Sequence, residues 1–246
     1  MNEKEGLIDL LIHDLVGPLA VSATSATNLL HKAERYGPLT DQQRRVLERV
    51  LRNVKKAQTL VQDMVEISRS KEGFFQKELF SVKEVVEESL LDALESTSPD
   101  VMEKLGSAPD PKGFEGILES HGIFTEIKGK YCQSPFCHDQ RKVCQILRNL
   151  MSNALKYRHR RMEVSISGDV DLLVAIEDDG QGIPKEELEA VFKRFYRIKG
   201  NKHSERPGLG LGLAGVKVLV EAMGGEISLE SREGAGTCFR IKIPPL

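Results

Sequence analysis

Two asparagines and a lysine are spaced to share one face of a predicted helix. Asn149, Asn153 and Lys156 recur at intervals of three and four residues within the helical pattern of residues 146–157. Amide oxygens are neutral ligands for a hard cation such as Mg²⁺, and a lysine ammonium can meet phosphate charge. The pattern predicts a face that collects a metal ion and phosphates. The alternative is a solvated polar face opposite the apolar residues of the same helix.

Asp178 begins a glycine-containing turn directly after an apolar strand pattern. Gly180 and Gly182 let the backbone turn tightly and approach a flat ligand. A carboxylate at the end of a strand can accept a hydrogen bond from an exocyclic amine such as N6 of adenine. The alternative is an ordinary turn between two elements.

A second glycine-rich segment, residues 208–213, precedes a predicted helix. Free N–H groups and the helix dipole at such a start favour phosphate. Gly210 is followed by glycine two residues later, at Gly212, whereas the dinucleotide-binding fingerprint needs Gly or Ala three residues later. This spacing excludes a Rossmann-type site.

His13 lies on a predicted amphipathic helix and is followed by Asp14. Imidazole is nearly neutral at cytoplasmic pH, so one ring nitrogen keeps a lone pair that can attack phosphorus. Asp14 can hold or take the proton of the other nitrogen, as a general base does. Four other histidines are interpreted as structural: His31, His121, His138 and His159.

Composition narrows the possible classes of protein. The chain has 246 residues and a net charge of −2, which argues against nucleic acid as the main partner. It has no run of about 18 apolar residues and no signal peptide, so we expect a cytoplasmic protein without a membrane span. The four cysteines lack a C-x-x-C pair and are interpreted as reduced thiols, with a metal or redox role as the minor alternative.

Two domains are predicted, with a boundary in the polar segment Ser70–Gly73: residues 1–72 and 73–246. The first has two amphipathic helices, one of them interrupted near Gly17 and Pro18. Two helices cannot cover both apolar stripes, so we expect a homodimeric four-helix bundle.

The second domain is predicted to be an α/β sandwich, which makes the chain α+β overall. Residues 122–127, 162–166 and 172–176 have strand patterns, and the last forty residues have a hairpin pattern. Residues 97–122, rich in Pro, Gly, Asp and Ser, are expected to be an extended connection or a small insert.

Taken together and in order, these segments resemble the catalytic core of sensor histidine kinases. The similar segments are 13–15 with 18–19, 149–157, 178–182, 192–197 and 208–213. The resemblance covers nearly the whole chain. It implies a dimerisation and histidine-phosphotransfer module followed by an ATP-binding module of the histidine kinase, gyrase and Hsp90 type.

The resemblance also implies a set of roles. Asn153 would be the main Mg²⁺ ligand with Asn149 beside it, Asp178 would contact adenine, and residues 193–207 would form a mobile lid. The other residues expected to bind ATP are Lys156, Tyr157, Gly180, Gly182, Arg194, Tyr196, Gly208, Gly210, Leu211, Gly212 and Thr237. His13 and Asp14 would be the catalytic pair.

The function implied is an ATP-dependent protein-histidine kinase of a two-component system. It would autophosphorylate His13 and pass the phosphoryl group to an aspartate of a response-regulator receiver. The stimulus would come from a separate sensor protein, a missing region or the 97–122 segment. The alternatives are a non-transferring, ATP-switched dimeric scaffold and a chaperone-type or topoisomerase-type ATPase, although the latter two lack a His-Asp helix.

Gly17 departs from the resemblance. The family often has Thr or Asn four residues after the histidine, where it positions a water that removes phosphate from the partner. Glycine has no side chain for this role, so we expect weak phosphatase activity.

Overall fold

The computed structural model describes residues 3–70, 75–108, 110–193, 196 and 212–246, with the backbone alone for 3–14, 33, 56, 59–60 and 62–70. The chain divides into two compact units, Met1–Glu72 and Gly73–Leu246. Among the described residues, no helix has both the length and the apolar character needed to cross a bilayer.

The first unit is a helical hairpin. Its helices are α1 (Glu3–His31), the short α2 (Ala33–Tyr36) and α3 (Asp41–Ser70). Thr40 and Gln43 form a capping box at the start of α3: the Gln43 N–H donates to Thr40 Oγ1 (3.3 Å), and the Thr40 N–H donates to Gln43 Oε1 (2.9 Å).

The expected interruption of α1 near Gly17 and Pro18 is wrong, because one helix continues through both residues. Proline removes a single backbone hydrogen bond, whereas its φ angle is compatible with a helix. The backbone hydrogen bonds of the neighbouring turns therefore keep the helix continuous at Pro18.

The hairpin leaves apolar side chains exposed. Ala26, Leu30 and Val61 are buried. Among the side chains that the structure describes on the two long helices, five other large apolar ones are exposed: Leu15, Val16, Val21, Val46 and Val50. A single hairpin thus covers only part of its apolar surface.

The second unit contains a mixed five-stranded sheet. Its strands are β2 (Ile123–Ile127), β4 (Met162–Ser167), β5 (Leu172–Asp178), β6 (Glu226–Arg232) and β7 (Gly236–Ile243). They lie in the order β2-β4-β5-β7-β6, in which β2 and β4 are parallel and the other pairs are antiparallel. A separate antiparallel pair joins β1 (Glu78–Phe80) to β3 (Phe136–His138).

The helices that contribute to one hydrophobic core with the sheet include α4 (Val82–Thr97), α7 (Gln140–Tyr157) and α8 (Gly212–Ala222). Alternate residues of β5 are buried, among them Val174 and Ile176, while Leu173 and Glu177 face outward. This alternation is typical of a strand with one packed face. The predicted α/β sandwich is confirmed.

Residues 97–122 are not an extended connection. They fold into α5 (Pro99–Gly106) and α6 (Pro111–Ser120), and both helices begin with proline. Proline suits the first helical turn, and Asp110 caps α6 by accepting a hydrogen bond from the Gly113 N–H (2.7 Å). The Pro, Gly, Asp and Ser residues of this segment were interpreted as turn-forming, although Pro99, Pro111 and Asp110 mark the starts of helices.

Candidate functional site

The helix α7 is anchored at its start by a buried cap. Asp139 accepts hydrogen bonds from the Lys142 N–H (3.1 Å) and the Gln76 N–H (3.0 Å). The Asp139 N–H donates to Nδ1 of His138 (2.7 Å), whose pKa is lowered by burial. His138 is therefore held neutral as a structural residue, and the cap fixes the start of the helix that carries Asn149 and Asn153.

Asn149, Asn153, Lys156 and Tyr157 are all half-buried on α7. The Lys156 ammonium nitrogen lies 5.0 Å from the centroid of the Tyr157 ring, which is a cation–π distance. Residues three and four apart lie on one helix face, so both amides and the ammonium share a partly exposed surface.

Asp178 ends β5 and is 6% exposed. Its Oδ1 accepts a hydrogen bond from the Gly180 N–H (2.9 Å). Burial raises the pKa of Asp178 to about 6, although the Gly180 bond opposes the shift. The carboxylate is therefore ionised at neutral pH but protonates in mildly acidic solution.

Close backbone approaches surround Asp178. A Cβ at Gly180 would overlap the Tyr157 carbonyl oxygen, and one at Gly236 would overlap the Asp178 carbonyl oxygen. Gly236 also has a φ of 98°, which favours glycine. Glycine at these positions brings the end of α7, the end of β5 and the start of β7 together.

Thr237 lies directly opposite Asp178 in the pairing of β5 with β7. Ser231 Oγ accepts from the Ile183 N–H (2.8 Å) and donates to the Gly236 carbonyl (2.7 Å). Since a serine hydroxyl has one hydrogen, the Thr237 hydroxyl must donate in its 3.0 Å contact with Ser231. The free lone pairs of Thr237 then act as acceptors beside Asp178.

Ser231 is not among the site residues predicted from the sequence. The feature of the sequence that could have identified Ser231 is the hairpin register about the Gly234 turn, which pairs Ser231 with Thr237.

Gly212, the first residue of α8, lies against Asn149. A Cβ on Gly212 would be 3.3 Å from Asn149 Oδ1. The N-terminus of α8 thus meets the asparagine face of α7, as a phosphate-binding helix start requires.

The structure describes only some of the remaining predicted residues. Arg194, Gly208, Gly210 and Leu211 lie outside the described residues, as does most of the expected lid. Tyr196 is described, and its hydroxyl hydrogen-bonds to Glu187. His13 and Asp14 lie within α1, where the structure describes their backbone alone.

Residues 138–246 match the family of histidine kinase-, DNA gyrase B- and HSP90-like ATPases. The sensor histidine kinase WalK of Bacillus subtilis (strain 168) is 33% identical over 192 residues, covering 75% of this chain and 28% of WalK. The chain is a histidine kinase catalytic core. The sensor protein KdpD of Escherichia coli (strain K12) is 29% identical over 248 residues, covering 98% of this kinase core and 24% of KdpD. The core thus spans about a quarter of the length of these relatives.

Two solved structures share the fold of this kinase core. Full-length ShkA in complex with AMPPNP superposes with a TM-score of 0.66 at 22% identity, covering 97% of this chain and 45% of ShkA. The Acinetobacter baumannii histidine kinase AdeS gives a TM-score of 0.54 at 24% identity, covering 92% of this chain and 96% of AdeS.

Proposed function

We propose that this kinase core binds Mg-ATP in its second unit and autophosphorylates His13. The observation that carries the ATP site is the buried Asp178 carboxylate, enclosed by glycine approaches and the Thr237 acceptor. Two acceptors side by side suit the amino group of adenine. ShkA, which shares the fold, is described as bound to AMPPNP, an ATP analogue.

The face of α7 fits the phosphate end of the nucleotide. We assign Asn153 as the main Mg²⁺ ligand, with Asn149 beside it and Lys156 and Tyr157 near the phosphates. Amide oxygens, water and phosphate oxygens form a suitable ligand set for Mg²⁺. A bound Mg²⁺ would supply neutralisation of phosphate charge. The remaining predicted residues, Gly182, Arg194, Tyr196, Gly208, Gly210, Leu211 and Gly212, would close the site.

The proposed phosphoryl step transfers the γ-phosphoryl group of ATP to His13. An imidazole nitrogen of His13 forms a bond to the γ-phosphorus, and the bond from that phosphorus to the bridging oxygen of ADP breaks. The proton on the other ring nitrogen passes to Asp14. A second transfer gives the phosphoryl group to an aspartate of a receiver domain and restores the histidine.

The first unit is proposed to form a homodimeric four-helix bundle. The five exposed apolar side chains of α1 and α3 support this, because a second hairpin would bury them. Leu15, Val16 and Val21 follow closely after His13, so the same helix would serve both dimerisation and phosphotransfer.

Labelled ATP tests the proposed function directly. The protein is incubated with Mg²⁺ and ATP labelled on the γ-phosphate, and we expect an alkali-stable, acid-labile label on the chain. Nucleotide binding without label would favour the ATP-switched scaffold. If the protein showed neither nucleotide binding nor label, that result would contradict the ATP site itself.

The affinity for Mg-ATP is predicted to fall below pH 6. Adenine favours the ionised form of Asp178, whose pKa is about 6 in the nucleotide-free protein, so affinity declines by up to about tenfold per pH unit below that value. Isothermal titration calorimetry between pH 5 and 8 measures this. Asp178→Asn is the control, because it removes the side chain's titration while ATP titrates as before. The same decline in both proteins would contradict the prediction.

Weak phosphatase activity is predicted from Gly17. We expect the wild-type protein with ADP to accelerate hydrolysis of a phosphorylated receiver by less than about tenfold, or roughly 1.4 kcal/mol of barrier. Among the described side chains, none lies within 4 Å of a Cβ at Gly17, so Gly17→Thr should fold. Gly17→Thr should raise hydrolysis, whereas Gly17→Ala, its control, should not. Strong wild-type activity would show that another group positions the water.

A further inference from the structure

Three consecutive backbone N–H groups after the end of α7 bind one carboxylate. Oδ1 of Asp179 accepts from the N–H groups of His159 (2.9 Å), Arg160 (3.0 Å) and Arg161 (2.9 Å), and Oδ2 also accepts from Arg160 (3.1 Å). The Asp179 N–H in turn donates to the Arg161 carbonyl (3.2 Å). Successive N–H groups that enclose an anion in this way form a nest.

Two basic side chains of this turn make hydrogen bonds to other groups. The Arg158 guanidinium donates to the Gly122 carbonyl (3.1 Å). The Arg161 guanidinium donates to Glu163 (2.7 Å) and lies 4.8 Å from the centroid of the Phe124 ring. Asp179 therefore binds backbone N–H groups, which any residue except proline would supply at positions 159–161.

Asp179 connects the two ends of the proposed nucleotide site. It follows Asp178 directly, and the turn that it binds follows Tyr157, the last residue of α7. Between them, Gly180 lies so close to the Tyr157 carbonyl that a Cβ would overlap it. A shift of the turn would therefore change the distance from the asparagine face of α7 to the buried Asp178.

We propose that Asp179 is a positioning residue that ties the end of α7 to the end of β5. By this contact it keeps the phosphate-binding face in register with the adenine-binding carboxylate. The assignment rests on the proposed ATP site. It adds a residue that holds the two halves of the site together without touching the nucleotide.

The contact is strong enough for this role. Hydrogen bonds to an ionised acceptor are about twice as strong as bonds between neutral groups. Burial raises the pKa of Asp179, but the backbone hydrogen bonds from Arg161, Arg160 and His159 outweigh this effect and hold the pKa below its usual range. The carboxylate thus stays ionised at neutral pH, and the turn keeps its acceptor.

Two ligands of different length distinguish positioning from general stability. Mg-ATP spans both ends of the site, whereas adenosine reaches the Asp178 end alone. Asp179→Ala is expected to weaken Mg-ATP binding by roughly tenfold or more and adenosine binding by less than about twofold. Calorimetry measures the first and titration by NMR the second. Unchanged Mg-ATP affinity, or an equal loss for both ligands, would overturn the proposal.

Two further variants separate the backbone contact from the charge. Asp179→Asn keeps Oδ1, which accepts three of the four bonds, so Mg-ATP affinity should stay within about threefold of wild type. Glu163→Gln removes a charge that contacts the same turn through a side chain, and it should have no effect. A loss with Asp179→Asn as large as with Asp179→Ala would mean that the three bonds accepted by Oδ1 contribute nothing, and it would overturn the proposal.

Hydrogen exchange on the nucleotide-free protein tests the contact between Asp179 and residues 159–161 independently of whether the protein binds ATP. Asp179→Ala should accelerate exchange of the amides of His159, Arg160 and Arg161, while amides in the middle of β5 keep their protection. Failure of the wild-type protein to bind Mg-ATP would contradict the proposed function but leave this readout intact. Unchanged protection of the three amides in Asp179→Ala would overturn the proposal.

Discussion

Asn153→Ala is expected to lower autophosphorylation by on the order of 100-fold, because its amide oxygen is the proposed main ligand of Mg²⁺. Without the metal, phosphate charge is not neutralised and the γ-phosphate is not positioned. The initial rate of label incorporation from ATP measures the loss. The variant should keep its fold, since Asn153 is half-buried on α7 and is outside the hydrophobic core.

Chelation of Mg²⁺ tests more directly whether Asn153 is a metal ligand. Adding EDTA should weaken ATP binding to the wild-type protein, whereas Asn153→Ala should bind ATP with equal affinity with or without EDTA. Ser152→Ala, a small polar truncation one residue earlier on α7, is the control and should respond to EDTA as wild type does. If Asn153→Ala also responds like wild type, the metal ligand lies elsewhere.

His13→Gln is expected to abolish the acid-labile label while leaving Mg-ATP affinity unchanged. Glutamine is polar and similar in size, but it has no nucleophilic ring nitrogen. Incorporation of γ-phosphate and calorimetry with ATP, both measured on one preparation, separate transfer from binding.

His31→Gln is the matched control, because His31 lies at the end of the same helix α1. It should keep both the label and the affinity. Label that persists at the wild-type level in His13→Gln would mean that another residue accepts the phosphoryl group. Loss of label in both variants would point to damage to α1 and not to loss of the acceptor.

Periodic patterns in the sequence predicted most of the second unit. The predicted helical pattern at 146–157 lies within α7, and the predicted strands at 162–166 and 172–176 correspond to β4 and β5. These elements bury one face each, so their apolar spacing is regular and is visible without tertiary information.

Residues whose role depends on tertiary contacts could not be predicted in the same way. The hydroxyl of Ser231 orients Thr237 through a register between β6 and β7, and the carboxylate of Asp179 binds a turn about twenty residues away. In the sequence, Asp179 is a second acidic residue beside Asp178, and no local pattern distinguishes their partners. The helices α5 and α6 were missed for another reason: their Pro, Gly, Asp and Ser residues were interpreted as turn-forming, whereas Pro99 and Pro111 begin helices and Asp110 caps the second of them.

The burial of Asp178 has a cost for the stability of the nucleotide-free domain. The pKa of this carboxyl is about 6 in the folded chain and 3.8 without the fold. The folded state therefore binds more protons, and the free energy of unfolding falls as pH rises from 4 to 6, by up to about 3 kcal/mol in total. A nucleotide that donates a hydrogen bond to the carboxylate offsets part of this cost. Selection of variants for heat resistance alone, without ATP present, would be expected to favour a neutral residue at position 178 and so to remove recognition of the base.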